Sequence, residues 1–326
     1  MKKNRDWDIL GYTRREVMIL NTGCRCDIPA FFSRWFYNRI QEGYVCTRNP
    51  YAPEQVLKYT LDPQVVDVLC FCTKNPEPMF DGLDMLDRYR QFWFVTLTPY
   101  GKDVEPKVGD KTRILESIKK LSGYVGAKKV AWRYDPIFVT EKYSLEYHLR
   151  AFEKIASVLQ GYVSFCVISF LDLYEKTKRN FPQARDVTEQ DQIFLAMHLS
   201  EIGRKYGIPI RSCCEASSLS RYGIETQGCL TKEVLEKAND IELAVPKSKK
   251  PSSRFCNCLL GSDIGMYNTC PHGCLYCYAN YNRKAVEENL KYHDPDSPLL
   301  IGRIRKGDRI IVVKQESYLN KQISLF

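Results

Sequence analysis

From residue 17 to residue 214 the chain alternates short apolar runs, rich in β-branched and aromatic residues, with longer amphipathic stretches. That alternation restricts it to folds built on a parallel sheet with helical crossovers. The runs at 17–21, 65–72, 92–98, 129–135, 163–169 and 208–213 read as strands. Between them, 29–42, 111–121, 144–160 and 188–206 read as helices, followed by Gly43, Gly123, Gly161 and Gly207. A glycine just past a helix supplies the left-handed residue that ends it. A further helix near 79–90 is poorly marked.

Six βα units suit either a partial (β/α) barrel or an open doubly wound sheet. No Gly-x-Gly-x-x-Gly follows the first strand, which counts against a dinucleotide fold. The preferred reading is therefore a partial, TIM-like (β/α)6 barrel over 1–245. After a helix around 232–239 comes Pro246-Lys247-Ser248-Lys249-Lys250-Pro251-Ser252-Ser253, a basic linker. A cysteine-rich module over 246–312 and a tail over 313–326 complete the expected organisation.

At 326 residues the chain can bury a substantial core. Its 14 cysteines are unusual, and the charged start, Met1-Lys2-Lys3-Asn4-Arg5-Asp6, has no apolar run behind it. We therefore expect no secretory leader and a cytoplasmic, reducing compartment in which thiols serve metals. No segment approaches the length of a membrane span. A net charge of +9 gives mild support to a nucleic-acid partner.

The segment Thr269-Cys270-Pro271-His272-Gly273-Cys274-Leu275-Tyr276-Cys277-Tyr278-Ala279 sets three thiols at Cys-x-x-x-Cys-x-x-Cys spacing. Three thiolates on a four-iron cluster leave one iron open to a small molecule. The rival is a zinc knuckle drawn from Cys256, Cys258, Cys270, Cys274 and Cys277. Zinc pairs usually come as two separated Cys-x-x-Cys units, whereas this loop is a triplet, so iron-sulfur is preferred. His272 is not needed as a ligand, and we expect it to shape the loop or meet solvent.

The triplet, with an aromatic just before its last cysteine and Tyr-Ala just after, resembles the cluster loop of radical S-adenosylmethionine enzymes, most closely the spore photoproduct lyase branch. Along nearly the whole chain, Asp27-Ile28-Pro29-Ala30-Phe31, Thr73-Lys74-Asn75-Pro76, Trp132-Arg133-Tyr134-Asp135-Pro136, Cys214-Glu215 and Asp263-Ile264-Gly265 are similar to the bacterial domain-of-unknown-function family numbered 1848. This resemblance implies a circularly permuted arrangement, with a C-terminal iron-sulfur module packed on a barrel already made. It implies that Cys270, Cys274 and Cys277 hold a [4Fe-4S] cluster and that the open iron chelates S-adenosylmethionine. Tyr276 would then lie by the adenine, and a reductant such as flavodoxin or ferredoxin would supply the electron that yields a 5'-deoxyadenosyl radical. The family's first motif reads Arg-Arg-Thr-Asp where this chain has Cys24-Arg25-Cys26-Asp27, so Cys24 and Cys26 inherit no role. The chain also has no Gly-Gly pair of the kind that binds the methionine amino group.

In a barrel of parallel strands, functional side chains collect at the C-terminal strand ends. Arg25 and Asp27 fall after strand one, Lys74 and Asn75 after strand two, Thr98 and Tyr100 after strand three. Arg133 and Asp135 follow strand four, Ser169 and Asp172 strand five, and Glu215 strand six. Charged residues closing apolar strands at one mouth are costly without a ligand. Lys74, Arg133 and Asp135 are therefore the catalytic candidates, and Asn75 joins Tyr276 as a cofactor-binding candidate. The bland reading has Arg133 and Asp135 simply pairing, and for Asp27 a helix cap before Pro29 is preferred.

Cys214, Cys229, Cys256 and Cys258 form a second set, expected to enclose an auxiliary [4Fe-4S] cluster, with Cys213 able to replace Cys214. Cys46, Cys70, Cys166 and Cys72 read as buried or idle thiols. The final residues, Lys321-Gln322-Ile323-Ser324-Leu325-Phe326, resemble the peptide by which bacterial DNA repair proteins dock on the sliding clamp. Leu325 and Phe326 would enter an apolar pocket while Gln322 fixes register. A tail packed on its own domain is nearly as good a reading. The function expected is thus a radical S-adenosylmethionine enzyme acting on nucleic acid in a repair-like role. The alternative is a non-catalytic iron-sulfur or zinc protein that binds DNA and the clamp.

Overall fold

The computed structural model describes residues 15–173, 175–215, 217–245 and 257–320. In chain order the strands are β1 (Arg15–Val17), β2 (Ile19–Asn21), β3 (Tyr44–Arg48), β4 (Gln55–Thr60), β5 (Val68–Thr73), β6 (Gln91–Thr96), β7 (Val130–Ile137), β8 (Cys166–Phe170), β9 (Ile210–Ser212), β10 (Ser262–Asp263), β11 (Arg309–Val312) and β12 (Lys314–Glu316). The helices are α1 (Ile28–Phe31), α2 (Ser33–Glu42), α3 (Lys111–Val125), α4 (Leu145–Leu159), α5 (Glu175–Asn180), α6 (Glu189–Lys205), α7 (Lys232–Asn239) and α8 (Arg283–Leu290). Every strand expected from the sequence is present as β2 and β5 to β9.

Those six strands form a parallel sheet in which each is hydrogen-bonded to the next in sequence, and β10 adds a seventh beside β2. Side chains two apart share a face. Leu69, Phe71, Trp93, Val95, Trp132 and Tyr134 face one way and pack on the long helices, with the Phe71 and Trp93 rings stacked at 3.8 Å. Val68, Cys70, Phe92, Phe94, Ala131 and Val167 face the other way, against Val234, Leu235 and Ala238 of α7. With both faces covered, the strands read as continuous apolar runs rather than alternating ones.

The order never reverses, so the sheet has no doubly wound switch point. Nor is it a closed barrel, because β10 and β9 end the strand order without pairing to each other. In a closed barrel the interior is filled by facing strands. Here α7 supplies that filling.

Helix ends follow the sequence with two exceptions, the first being that the expected 29–42 helix breaks at Phe32, φ −133°, into α1 and α2. Gly43 is left-handed at φ 75° and ends α2, whereas α3 runs through Gly123 and stops at Gly126, φ 92°. Asp110 anchors the start of α3, accepting the N–H groups of Thr112 and Arg113 at 2.9 and 3.0 Å. The weakly marked 79–90 segment is a 3-10 helix, Glu77–Leu86.

The C-terminal part is woven into the fold more deeply than a module and a tail. β11 extends the β3–β4 hairpin by pairing with β4, and β12 pairs with β1. Beyond β12, Ser317 Oγ and the Tyr318 N–H donate to the buried Asp67 carboxylate at 2.6 and 2.7 Å, and the Asn320 N–H reaches the Glu242 carbonyl at 2.9 Å. Gln322, Leu325 and Phe326 lie outside the described residues, as does Cys256.

Candidate metal centre at the strand ends

Parallel strands deliver their C-terminal ends to one rim, and here those ends surround a cavity of about 600 Å³. The loop after β2 contributes Cys24, Arg25, Cys26 and Asp27 to its wall. The ends of β5 and β7 add Cys72, Lys74, Arg133 and Asp135, and the end of β9 adds Cys213, Cys214 and Glu215. Gly23 lets the first loop lie flat on β5, because a Cβ there would stand 2.1 Å from the Cys72 carbonyl oxygen.

The 269–279 loop closes the same cavity, and Cys270, Cys274, Tyr276 and Cys277 all line it. Several contacts hold it there. The Leu275 N–H donates to the Val104 carbonyl at 3.0 Å, the Lys107 N–H to that of His272 at 3.1 Å, and Asn280 Nδ2 to that of Cys270 at 2.8 Å. The Ala279 N–H points at Cys277 Sγ at 3.4 Å. Donors of this kind stabilise a thiolate that ligates metal.

Asp27 does more than cap a helix. Its Oδ1 accepts the Ala30 N–H at 3.1 Å, the expected cap, while Oδ2 accepts the Lys74 N–H and meets His272 Nε2, each at 2.8 Å. One carboxylate thus ties α1, the end of β5 and the cysteine loop together. His272 is buried and packs edge-on against Phe31, so it shapes the loop and does not meet solvent.

Tyr276 is buried, and its hydroxyl donates to Glu105, a carboxylate in the loop after β6 that sequence reading had passed over. Thr98 Oγ1 and Lys74 Nζ also donate to Glu105, at 2.8 and 2.7 Å, and Lys111 pairs with its other oxygen. Burial pushes the Glu105 carboxyl up, but Lys74 and Lys111 outweigh this and hold it at about 2. Burial likewise pulls the Lys74 ammonium down, and Glu105 reverses the shift, leaving it raised. Lys74 is therefore a charged group with its counter-ion already in place, 5.6 Å from the Tyr276 ring. Asn75 does not line the cavity. It starts the 3-10 helix, with its Oδ1 accepting the Glu77 N–H at 3.1 Å.

Arg133 and Asp135 do pair, through Nε and Oδ2 at 2.8 Å, and Ser169 donates to the other Asp135 oxygen. The guanidinium also reaches Cys229 Sγ at 3.7 Å. Cys229 Sγ in turn lies 3.8 Å from Cys213 Sγ and 3.7 Å from Cys258 Sγ. The second thiol set is thus brought together with Cys213 as a contact member, and Cys214 follows at the turn with φ 61°. Hydrogen bonds from Cys214 and Cys229 hold the Cys213 thiol well below its ordinary value. Burial pushes the Glu215 carboxyl up to about 7, even though it accepts the Phe170 N–H at 2.8 Å.

Arg25, expected at the mouth, is locked to Asp263 of β10, Nε to Oδ1 at 2.8 Å, and Asp263 also accepts the Cys24 N–H at 2.9 Å. Cys46, Cys70 and Cys166 are buried thiols as expected, and Cys70 and the half-buried Cys72 also border the cavity.

The donor set suits a thiolate-bound metal group. Three buried polar atoms of cavity-lining residues, Asn21 Nδ2, His272 Nδ1 and Asn280 Oδ1, have no hydrogen-bond partner among the described residues. Such atoms are costly unless a bound group or water satisfies them. Among the described residues no three His, Cys, Asp or Glu side chains surround one point as for a single ion. A four-iron cluster makes a different demand, with its thiolates on separate irons.

A family model described as Domain of unknown function (DUF1848) matches residues 19–279, a span that runs from β2 through the last cysteine of the triplet. Comparison with curated proteins returns no match.

Proposed function

We propose that this chain, which belongs to the family described as Domain of unknown function (DUF1848), is a radical S-adenosylmethionine-type iron-sulfur enzyme. The observation that carries the reading is that Cys270, Cys274 and Cys277 line the cavity into which the parallel strands deliver their ends. Those three thiols would hold a [4Fe-4S] cluster. When bound, that group supplies the electron that splits the sulfonium of S-adenosylmethionine and yields a 5'-deoxyadenosyl radical. The partial-barrel reading belongs to the same proposal, since it accounts for the strand order and the single rim.

The chain's own residues would bind and shield. Tyr276, fixed through Glu105, offers a rigid ring beside the triplet for the adenine to stack on. Asp135 presents a carboxylate held by Arg133 and Ser169, suited to hydroxyl or ammonium groups of the cofactor. The apolar walls, Phe71, Phe94 and Leu260, help keep water away. Nucleic acid is the proposed substrate class, supported by the net charge of +9. Docking on the sliding clamp through Gln322, Leu325 and Phe326 stays part of the proposal on sequence alone.

The test is anaerobic. Purified protein should carry iron and sulfide, bleach in the visible with dithionite, and release 5'-deoxyadenosine from S-adenosylmethionine. Cys274→Ser should lose all three properties. Cofactor cleavage that persists in Cys274→Ser would end the proposal.

A second reading, a closed and non-catalytic metal centre, rests on Cys26. This buried thiol lines the same cavity as Cys270, Cys274 and Cys277. A Cys26 thiolate on the fourth iron would leave no open corner. Cys26→Ser separates the two readings, because an open cluster keeps its iron in that variant and a closed one loses stability.

A further inference from the structure

The second thiol group comes from other segments than the triplet and does not depend on the reading just given, though Cys213, Cys214 and Cys229 line the same cavity. Cys213 follows β9, Cys229 precedes α7, and Cys258 lies in the segment leading to β10. Backbone hydrogen bonds from Asn257 to Gln227 and from Leu259 to Leu230, at 3.2 and 2.8 Å, lay the Cys258 and Cys229 segments side by side. Cys229 Sγ is 3.8 Å from Cys213 Sγ and 3.7 Å from Cys258 Sγ. These are not disulfides, whose sulfurs stand about 2.05 Å apart.

One ion that binds sulfur at about 2.3 Å in tetrahedral geometry sets its ligand sulfurs about 3.8 Å apart, the edge of that tetrahedron. Both observed separations are of that size. A four-iron cluster seats each cysteine on its own iron and holds the sulfurs beyond contact. Thiols that merely pack in a core touch at the same separation, and metal analysis separates that case from a ligand set.

We propose that Cys213, Cys229 and Cys258 are ligands of a second metal site that takes one thiophilic divalent ion of the zinc class, in place of the auxiliary iron cluster expected from sequence. The three thiols do not yet surround one point, so binding requires Cys213 and Cys258, each already touching Cys229, to close on a common centre.

The surroundings suit thiolates. The Leu230 N–H donates to Cys258 Sγ at 3.2 Å, and the Arg133 guanidinium reaches Cys229 Sγ at 3.7 Å. Hydrogen bonds and a cation beside ligand sulfurs offset the negative charge that several thiolates bring to one ion. Cys229 and Cys258 are each 5% exposed, in the apolar contact between α7 and the sheet. Cys214 supplies a fourth sulfur. It hydrogen-bonds to Cys213 and holds a left-handed φ of 61°, a conformation that is costly for a non-glycine residue and that gathers at functional sites.

Metal analysis of the full chain tests this without any catalytic readout. Purified protein should hold one zinc per chain. Cys274→Ser, which damages only the triplet, should keep it, whereas Cys229→Ser and Cys258→Ser should each lose it while retaining native circular dichroism. Cys274→Ser grown with cobalt should show thiolate-to-cobalt charge transfer and the visible bands of a tetrahedral ion. This measurement on an intact second site still decides the matter if the Cys229 and Cys258 variants do not fold. Absence of the cobalt bands, or zinc unchanged in folded Cys229→Ser, overturns the site. Iron and sulfide lost from Cys229→Ser in place of zinc overturns the single-ion assignment. Because S-adenosylmethionine enters none of these measurements, the site and the radical proposal fail independently.

Discussion

Glu105 gathers four side chains, Lys74, Thr98, Lys111 and Tyr276, on a residue the sequence does not advertise. It sits in a charged loop, Lys102-Asp103-Val104-Glu105-Pro106-Lys107, where an acidic residue reads as solvent-exposed. Its burial, at 1% exposure, follows from partners far apart in the chain: Lys74, Thr98, Lys111 and Tyr276. Glu105→Gln keeps the shape and removes the charge, leaving two ammonium groups beside each other. We expect a loss of about 3 kcal/mol in unfolding free energy, as when one partner of a buried pair is deleted. Denaturant titration measures it, and an unchanged midpoint would show that the lysines do not depend on Glu105. The cysteine triplet was legible because the spacing itself is the signal. Lys74, Arg133 and Asp135 were legible as mouth residues, but their partners were not, since pairing across the cavity depends on register between strands that no single segment encodes.

At the scale of elements, the long helices and the six sheet strands could be read from periodicity and end signals, and the misses have physical causes. The β3–β4 hairpin went unread because neither strand alternates cleanly and its partner β11 comes from the far end of the chain. α3 overran Gly123 because Leu121 and Ser122 are already buried, so that packing carries the helix past a glycine with open space around it.

α4 offers a test of its own. Its His148 is wholly buried, Nδ1 accepting from the Tyr134 hydroxyl at 2.8 Å and the Nε2–H donating to the Phe138 carbonyl at 2.9 Å. Burial holds it down at about 4, against an ordinary value of about 6.5. Because the folded value is the lower one, the unfolded chain takes the proton first as the solution acidifies. The stabilisation is fully present above about pH 6.5 and is lost toward pH 4, amounting to about 3 kcal/mol. His148→Gln should flatten that part of the stability profile in denaturant melts, and a slope equal to that of the parent would remove His148 as its source.

For the whole molecule, a seven-stranded parallel sheet with helices on one face and α7 on the other sets a single rim, and the cysteine loop covers it. The parallel sheet was readable in advance. Its openness and the threading of residues 257–320 back through β2, β4 and β1 were not, because these depend on pairings between opposite ends of the sequence. Ending the chain after Asp308 should strip β11 and β12 and leave the Asp67 carboxylate without Ser317 and Tyr318. An unpartnered buried carboxylate alone costs several kcal/mol, so this truncation should lower the thermal midpoint by more than about 10 °C. Ending after Asn320 keeps every contact described here and should leave the midpoint in place. Equal midpoints for the two truncations would show that the C-terminal strands are ornamental.

The pairing of β1 with β12 also governs timing. β1 waits for a strand made almost 300 residues after it, and the loop that bears the triplet is made late in that interval. Through that interval the nascent sheet has an unmatched edge and an uncovered rim. A cell that makes this protein must shelter a half-built thiol-rich surface until the two segments meet.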